Sequence, residues 1–182
     1  AFVSAGNTGA LLTGATIIVG RIKGVKRPAL GTMLPTEKQR VLMLDSGANV
    51  DAKPEYLLQY AHMGSIYMEY VEGRQNPKVG LVNIGTESEK GNALVKEAYQ
   101  LLDQSEGLNF VGNTEARDIT LGDVDVIVCD AFVGNVILKV MEGLANTVLR
   151  LLKKALLSSF ITKIGALLSV PAFKRLKRDF FE

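Results

Sequence analysis

The stretch that most constrains the fold is a short apolar run that ends in a polar loop and leads into a helical pattern. Residues 124–129 are rich in valine and isoleucine and end at Asp130, which predicts a buried parallel strand. A long helical pattern then begins at Gly134-Asn135. Ligands of open α/β sheets bind at the carboxyl ends of strands, and the free N–H groups of a helix start favour an anion. Two interpretations stay open: an anion site that the backbone approaches closely at Gly134, or an ordinary turn with an asparagine cap.

The same order of strand, polar loop and helix recurs along the chain. The predicted strands are 41–44, 78–84 and 109–111, and the predicted helices are 54–70, 93–102 and 134–157. Residues 10–18 predict a further helix, which we expect to be buried, and residues 21–40 predict a connection because Pro28 and Pro35 interrupt it. This succession predicts an α/β fold on a parallel sheet, with several polar loops at one edge.

The composition is that of a globular domain, with 182 residues of which 47% are hydrophobic and 22% charged. A single cysteine, Cys129, excludes an intrachain disulfide framework, and its place in an apolar strand predicts a buried small hydrophobe. No signal peptide is visible, and the charge-free run 164–173 is shorter than the roughly 20 residues of a membrane span. We therefore expect a cytoplasmic protein, and because the chain starts at Ala1 without Met we expect it to be a fragment of a larger one.

Charge is unevenly spread along the chain. Residues 1–130 carry 12 Lys/Arg against 16 Asp/Glu, whereas residues 131–182 carry 9 against 3. A basic tail indicates an anionic partner, either nucleic acid or a membrane surface. Nucleic acid is the less favoured, because the basic residues lie beside an apolar tip and lack the aromatic platforms that single strands prefer.

We predict an α/β domain over residues 1–140 and a second part, 141–182, made of a long helix and a basic, apolar helical extension. Such an extension fits two arrangements equally: a hairpin that buries its apolar residues in a dimer, or a surface that lies in the interface of an anionic membrane. The predicted membrane-contact residues are Phe160, Ile164, Leu167, Leu168, Lys174 and Arg175.

Several polar loops carry candidate ligand groups. Small and polar residues near the start of the chain form a turn before a helix, and either cap that helix or cradle an anion. The residues of this turn are Ser4, Gly6, Asn7 and Thr8. Lys90 lies near a predicted helix start, where a cation opposes the helix dipole. Two explanations stay open for this lysine: it binds phosphate, or it is simply solvated. Asp45 and Asp51 have no His or third carboxylate nearby, so we predict no metal and no cofactor.

Five stretches together, in this order, resemble the PlsX phosphate acyltransferases of bacterial phospholipid synthesis: 1–10, 44–51, 79–85, 89–92 and 129–136. The resemblance implies a three-layer parallel-sheet fold, like that of phosphotransacetylases and isocitrate dehydrogenases, with a protruding helical hairpin. It also implies a homodimer with peripheral membrane contact. Ser46 and Ala131 stand where the family pattern has Val and Gly, and these small substitutions are expected to be tolerated. The family's flanking segments at both ends are absent, so the chain alone is expected to be inactive.

The activity implied by the resemblance is transfer of a long-chain acyl group from acyl carrier protein to inorganic phosphate. Phosphate is itself the nucleophile, so no Ser, Cys or His triad is required. Lys90 and Asn135 match residues of the family's active site, Lys90 as the positive charge and Asn135 as a hydrogen-bond donor to phosphate or oxyanion. The residues implied to line the same cleft are Ser4, Gly6, Asn7, Thr8, Asn83, Asn92 and Gly134. The alternatives are a phosphotransacetylase that acts on coenzyme A thioesters and a non-catalytic membrane-docking module.

Overall fold

The computed structural model describes the backbone of residues 6–181 and the side chains of residues 6–176 and 178. The chain divides into two compact units after Val136. The first unit contains a sheet and the helices around it, and the second, from Ile137 onward, is helical.

The sheet has five strands in the order β1-β2-β5-β3-β4. These are β1 Gly31–Leu34, β2 Val41–Leu44, β3 Lys78–Asn83, β4 Asn109–Glu115 and β5 Val126–Val128. Strands β2, β5, β3 and β4 run parallel, and β1 pairs with β2 in the antiparallel direction. The predicted α/β fold is therefore confirmed, with one antiparallel strand at the edge of an otherwise parallel sheet.

The helices are α1 Thr8–Ile18, α2 Pro54–Tyr70, α3 Ala93–Asp103, α4 Ala131–Leu156, α5 Phe160–Leu168 and α6 Val170–Phe181, with a 3₁₀ helix at Asp118–Leu121. Helices α2 and α3 pack against each other and against the sheet, since α2 contacts β2 and β5 and α3 contacts β4. Tyr60 of α2 and Leu102 of α3 are fully buried in the core between them and the strands. A Cβ atom at Gly64 would lie 2.5 Å from a methyl carbon of Val126, so glycine lets α2 approach β5 closely.

The structure corrects three local predictions. Strand β1 lies inside the segment that was predicted to be a connection. The sequence did not indicate this strand, because its four residues lie between Pro28 and Pro35 and carry little apolar pattern of their own. Strand β4 continues to Glu115 through polar residues, since Asn113 to Glu115 pair with Leu81 to Asn83 of β3. Helix α1 forms as predicted but has no buried residue among those described, so the expectation that it is buried is wrong.

The second unit carries many exposed apolar side chains. Leu144 and Val148 of α4 are 63% and 53% exposed, and Leu167 of α5 is 72% exposed. Among the described residues α4 is the one helix long and apolar enough, by length and composition alone, to cross a membrane, which the sequence analysis did not predict. Its first turn belongs to the first unit, where Ala131 and Gly134 are buried.

Candidate active site at the carboxyl edge of the sheet

The four parallel strands bring their carboxyl ends to one edge of the sheet. The loop after β2 begins at Asp45, the loop after β3 leads to Lys90, and β5 leads through Asp130 into α4. Because β5 lies between β2 and β3, these three loops are neighbours. This is the edge at which α/β sheets bind their ligands.

The loop after β2 folds around the buried carboxylate of Asp45. Its Oδ1 accepts hydrogen bonds from the backbone N–H groups of Leu30, Gly47 and Ala48, at 2.9 to 3.1 Å. Its Oδ2 accepts from the backbone N–H of Asn49 at 2.9 Å and from Asn49 Nδ2 at 2.8 Å. Both carboxylate oxygens of Asp45 therefore accept hydrogen bonds from N–H groups of the protein. These bonds give the buried side chain a structural role, because it holds the loop after β2. Within the described chain no three His, Cys, Asp or Glu residues form a cluster that could hold a metal ion.

Helix α4 begins earlier than the sequence predicted. Its first residue is Ala131, and the carboxylate of Asp130 caps it by accepting from the backbone N–H of Val133 at 2.9 Å. The N–H of Gly134 donates to the carbonyl of Asp130 at 3.0 Å, so it is already part of the helix. The prediction that Gly134 and Asn135 open the helix with free N–H groups is therefore wrong, because an aspartate four residues earlier supplies the cap.

Gly134 makes a close contact within the protein. A Cβ atom there would fall on the carbonyl oxygen of Asp45 and within 3.1 Å of the Cys129 sulfur. Glycine is needed because α4 packs directly against the backbone of the loop after β2. The close approach at Gly134 is thus to the protein's own backbone.

Two asparagines hold the loop that carries Lys90. Asn83, at the end of β3, donates from Nδ2 to the carbonyl of Lys90 at 3.1 Å and accepts from the N–H of Ile84 at 2.8 Å. Asn113, in β4, donates from Nδ2 to the carbonyl of Glu87 at 2.8 Å. Both side chains are more than 90% buried. Sequence reasoning named Asn83 as a ligand and missed Asn113, whose position in a strand beside the buried end of β3 is the signal that could have found it.

The loop itself is closely fitted. Gly91 has a φ of +91°, and a Cβ there would lie 2.6 Å from Asn83 Oδ1, so both conformation and space require glycine. Asn92 caps α3 by accepting from the N–H of Val95 at 3.0 Å. The Lys90 side chain lies over Gly85, is exposed, and forms no ion pair with any carboxylate of the described residues.

The turn near the start of the chain lies partly outside the described residues, which begin after Ser4. Asn7 is the cap of α1, since its Oδ1 accepts from the N–H of Ala10 at 3.1 Å, and Thr8 is the first residue of that helix. Asn7 and Thr8 are exposed, as is Gly6. No hydrogen bond among the described residues joins Asn7 or Thr8 to the loop of Lys90.

Lys90 and Asn135 follow neighbouring strands, β3 and β5, and both side chains are exposed. Neither side chain donates a hydrogen bond to another residue in the described part of the chain, which leaves both available to a ligand. The predicted roles toward a ligand stay predictions for Lys90, Asn135, Asn7, Thr8, Asn83, Asn92 and Gly134. For Asn83, Asn92 and Gly134 the structure shows contacts within the protein.

Cys129 is 3% exposed and its Sγ lies 3.6 Å from the carbonyl oxygen of Asp45. Burial raises the pKa of this thiol far above its ordinary value, and the nearby carboxylates of Asp130 and Asp45 raise it further. The thiol is therefore neutral and enclosed, as predicted for a small core residue.

His62 Nε2 lies 3.0 Å from Ser105 Oγ, a contact between α2 and the segment after α3.

The sequence model of the family described as fatty acid synthesis protein matches residues 1–180. The chain belongs to this family. The resemblance to the PlsX phosphate acyltransferases is thereby confirmed.

Curated relatives of this family member carry the name phosphate acyltransferase. The relative from Clostridium perfringens (strain SM101 / Type A) is 53% identical over 178 residues, which is 98% of this chain and 52% of the relative. The relative from Clostridium novyi (strain NT) is 53% identical over 180 residues, 99% of this chain and 54% of the relative. The relative from Nitratidesulfovibrio vulgaris (strain DP4) is 51% identical over 176 residues, 97% of this chain and 51% of the relative. The chain spans about half the length of the curated relatives it matches.

Two solved phosphotransacetylases have a similar fold. One from Streptococcus pyogenes has a TM-score of 0.58 and 16% identity, covering 78% of this chain and 49% of that one. The EutD phosphotransacetylase from Staphylococcus aureus has a TM-score of 0.57 and 19% identity, covering 72% and 46%. The phosphotransacetylase-like fold predicted from the sequence is confirmed.

Proposed function

We propose that this protein transfers a long-chain acyl group from acyl carrier protein to inorganic phosphate. The observation that carries the proposal is the loop 84–91, which presents the unpaired cation of Lys90 at the carboxyl edge of the sheet. Relatives at 51% to 53% identity are named phosphate acyltransferase, which supports both the reaction type and the acceptor.

The proposed step is attack of a phosphate oxygen on the thioester carbonyl. A new C–O bond forms, the C–S bond breaks, and the departing thiolate takes up a proton from solvent. The protein must hold phosphate against the carbonyl and stabilise negative charge on the oxyanion and the sulfur. Lys90 supplies the positive charge for phosphate or the leaving sulfur, and the Asn135 amide donates a hydrogen bond to phosphate or the oxyanion.

The structure supports a division of work among the predicted site residues. Asn83 and Asn113 each donate a hydrogen bond to the backbone of the loop, which supports a role in positioning Lys90. Gly134 and the Asp130 cap set the start of α4, from which Asn135 projects one turn later. A site for an anionic nucleophile needs such rigid support, because displacement of a charged group by about an ångström weakens catalysis strongly.

The experiment compares acyl donors and one charge deletion in the full-length protein. Wild type is expected to form acyl phosphate faster from acyl carrier protein thioester than from the coenzyme A thioester. Lys90→Ala is expected to lower this rate by two or more orders of magnitude. Lys96→Ala, which removes an exposed cation from α3, is the matched control and is expected to retain wild-type turnover.

The outcomes separate the candidate functions. Preference for the coenzyme A thioester would replace the proposal with a phosphotransacetylase-type activity. Near-normal turnover of a folded Lys90→Ala protein would refute the assignment of Lys90. Absence of acyl phosphate from either donor would favour a non-catalytic docking module.

We also propose that the second unit mediates two contacts. The exposed apolar side chains of α4, such as Leu144 and Val148, support packing against the same helix of a second copy. In α5 and α6 the apolar side chains stand beside cations, which supports peripheral contact of a cytoplasmic protein with an anionic membrane. The proposed membrane residues are all exposed: Phe160, Ile164, Leu167, Leu168, Lys174 and Arg175.

A further inference from the structure

The backbone of α4 sets the position of the Asn135 amide, because this exposed side chain donates no hydrogen bond within the described part of the chain. That backbone is held at two points. The N–H of Ala131 donates to the carbonyl of Asn49 at 3.2 Å. The backbone at Gly134 lies directly against the carbonyl of Asp45. Both points belong to the loop after β2, so the conformation of this loop determines where Asn135 lies.

One carboxylate determines the conformation of that loop. The Asp45 side chain is fully buried, and its two oxygens accept five hydrogen bonds from N–H groups at 2.8 to 3.1 Å. Three of the donors are the consecutive backbone amides of residues 47–49. A neutral amide in place of Asp45 has only one acceptor oxygen and sets N–H groups of its own against some of these donors. A carboxylate is therefore the group that this loop geometry requires.

The charge of Asp45 is compensated by these N–H groups and not by a cation. Within the described residues no Lys, Arg or His forms an ion pair with it. A buried charge is costly unless hydrogen bonds compensate it. The five donors converge on Asp45 only in the observed conformation of the loop, so removal of the charge weakens the preference for that conformation.

We propose that Asp45 is a positioning residue for acyl transfer. Its carboxylate holds the loop after β2 in the conformation that fixes the first turn of α4 and thereby directs the Asn135 amide toward the substrate. This role rests on the proposed function, in which Asn135 donates a hydrogen bond to phosphate or the oxyanion. Asp45 acts through Asn135, because both of its own oxygens already accept hydrogen bonds within the protein. A shift of about an ångström at such a donor lowers a rate by up to about a hundredfold.

A double-mutant cycle in the full-length protein separates this role from general support of the fold. The assay is acyl phosphate formation from acyl carrier protein thioester and inorganic phosphate. Asp45→Asn keeps the shape of the side chain and removes its charge. We expect it to lower kcat about tenfold to a hundredfold, with the KM for the thioester changed less than about threefold. In the Asn135→Ala background it is expected to lower kcat less than about threefold, because the amide that it positions is gone.

The matched control is Asp125→Asn. Asp125 accepts from Gln39 Nε2 at 3.1 Å and from the backbone N–H of Lys78 at 2.8 Å, and it lies before β5, at the opposite end of this strand from α4. Its replacement should lower stability and leave the kcat of the folded protein within about twofold.

A milder variant keeps the test available if Asp45→Asn does not fold. Asn49→Ala removes one donor to Asp45, the Nδ2 group at 2.8 Å, and leaves the charge in place. We expect it to lower kcat about threefold to tenfold in the wild-type background and less than about twofold in the Asn135→Ala background.

Amide hydrogen exchange gives a readout that does not depend on catalysis. Asp45→Asn is expected to speed exchange in residues 131–136 about tenfold or more, whereas Asp125→Asn is not. The proposal is overturned if Asp45→Asn lowers kcat equally with and without Asn135, or if exchange in residues 131–136 is unchanged. If wild type forms no acyl phosphate, the proposed function fails, and the exchange measurement still decides whether Asp45 fixes the start of α4.

Discussion

Asn83 donates a hydrogen bond from Nδ2 to the carbonyl oxygen of Lys90, seven residues later, at 3.1 Å. The Oδ1 of the same amide accepts from the N–H of Ile84 at 2.8 Å, so one buried side chain clamps both ends of the loop. Asn113 on the adjacent strand clamps its middle through the carbonyl of Glu87. The position of the Lys90 cation therefore depends on amides that face the protein.

Replacement of Asn83 by Asp tests this clamp. An aspartate keeps the shape and the acceptor but removes the donor and sets a carboxylate oxygen against the Lys90 carbonyl. We expect a loss of about 1–3 kcal/mol in the free energy of unfolding, and faster amide hydrogen exchange across residues 85–91.

The control for Asn83→Asp is Asn109→Asp. Asn109 donates from Nδ2 to the carbonyl of Asn76 at 2.8 Å, which is the same chemistry at the opposite end of the sheet. It should leave exchange in residues 85–91 unchanged. Equal protection of the loop in Asn83→Asp and wild type would show that the clamp does not position Lys90.

Gly134→Ala tests the packing of α4 on the loop after β2. The new Cβ would meet the Asp45 carbonyl, which is backbone and cannot turn aside. We expect destabilisation of about 3 kcal/mol or more, measured by denaturant unfolding. Gly143→Ala, in the same helix with nothing within 4 Å of its Cβ, should instead stabilise by up to about 1 kcal/mol. A neutral effect at Gly134 would mean that α4 does not pack as described.

Burial of Cys129 predicts how stability depends on pH. Because burial raises the pKa of the folded thiol, the unfolded chain loses this proton at a lower pH than the folded protein does. The contribution of Cys129 to stability is thus fully present below about pH 8.5, the ordinary thiol pKa, and falls as the pH rises above it.

Thiol reactivity measures the same property directly. The native protein at pH 8 should react with a thiol reagent such as 5,5′-dithiobis(2-nitrobenzoate) at least a hundredfold more slowly than the protein unfolded in guanidinium chloride, because an enclosed neutral thiol is not a nucleophile. Since Cys129 is the only cysteine in the sequence, the thiol reagent reports on this side chain alone. Rapid reaction of the native protein would place Cys129 at the surface.

The sequence predicted those elements whose signals are local. Strand β2 and helix α2 have the predicted bounds, because an unbroken apolar run marks the first and Pro54 marks the start of the second. The start of α4 was misplaced by three residues, although Asp130, which caps this helix, is of a residue type preferred at helix starts. Strand β1 could not be predicted, since its pairing with β2 depends on contacts between distant residues.

Roles within the site were harder to predict than positions. Asn83, Asn92 and Gly134 lie where ligand-binding residues were expected, yet their contacts are a loop clamp, a helix cap and a backbone approach. From the sequence alone, a polar residue at a strand end is equally compatible with binding a ligand and with holding its own loop. The side-chain hydrogen bonds in the structure show which contacts it makes within the protein. Lys90 and Asn135 are among the predicted residues with exposed side chains, and neither side chain donates a hydrogen bond within the described part of the chain.

The proposed membrane contact predicts a specific dependence on charge and on Leu167. Insertion of this 72% exposed side chain into the interface removes apolar area from water, whereas a carboxylate there would be repelled by anionic lipid. Leu167→Glu should therefore lower binding to phosphatidylglycerol vesicles about tenfold or more in a sedimentation assay. Ile66→Glu, an equivalent change at a 57% exposed position of α2, should not. Binding of wild type should also weaken as salt rises from 0.05 to about 0.5 M, because Lys174 and Arg175 contribute by charge. Binding that is indifferent to Leu167→Glu would remove α5 from the membrane contact.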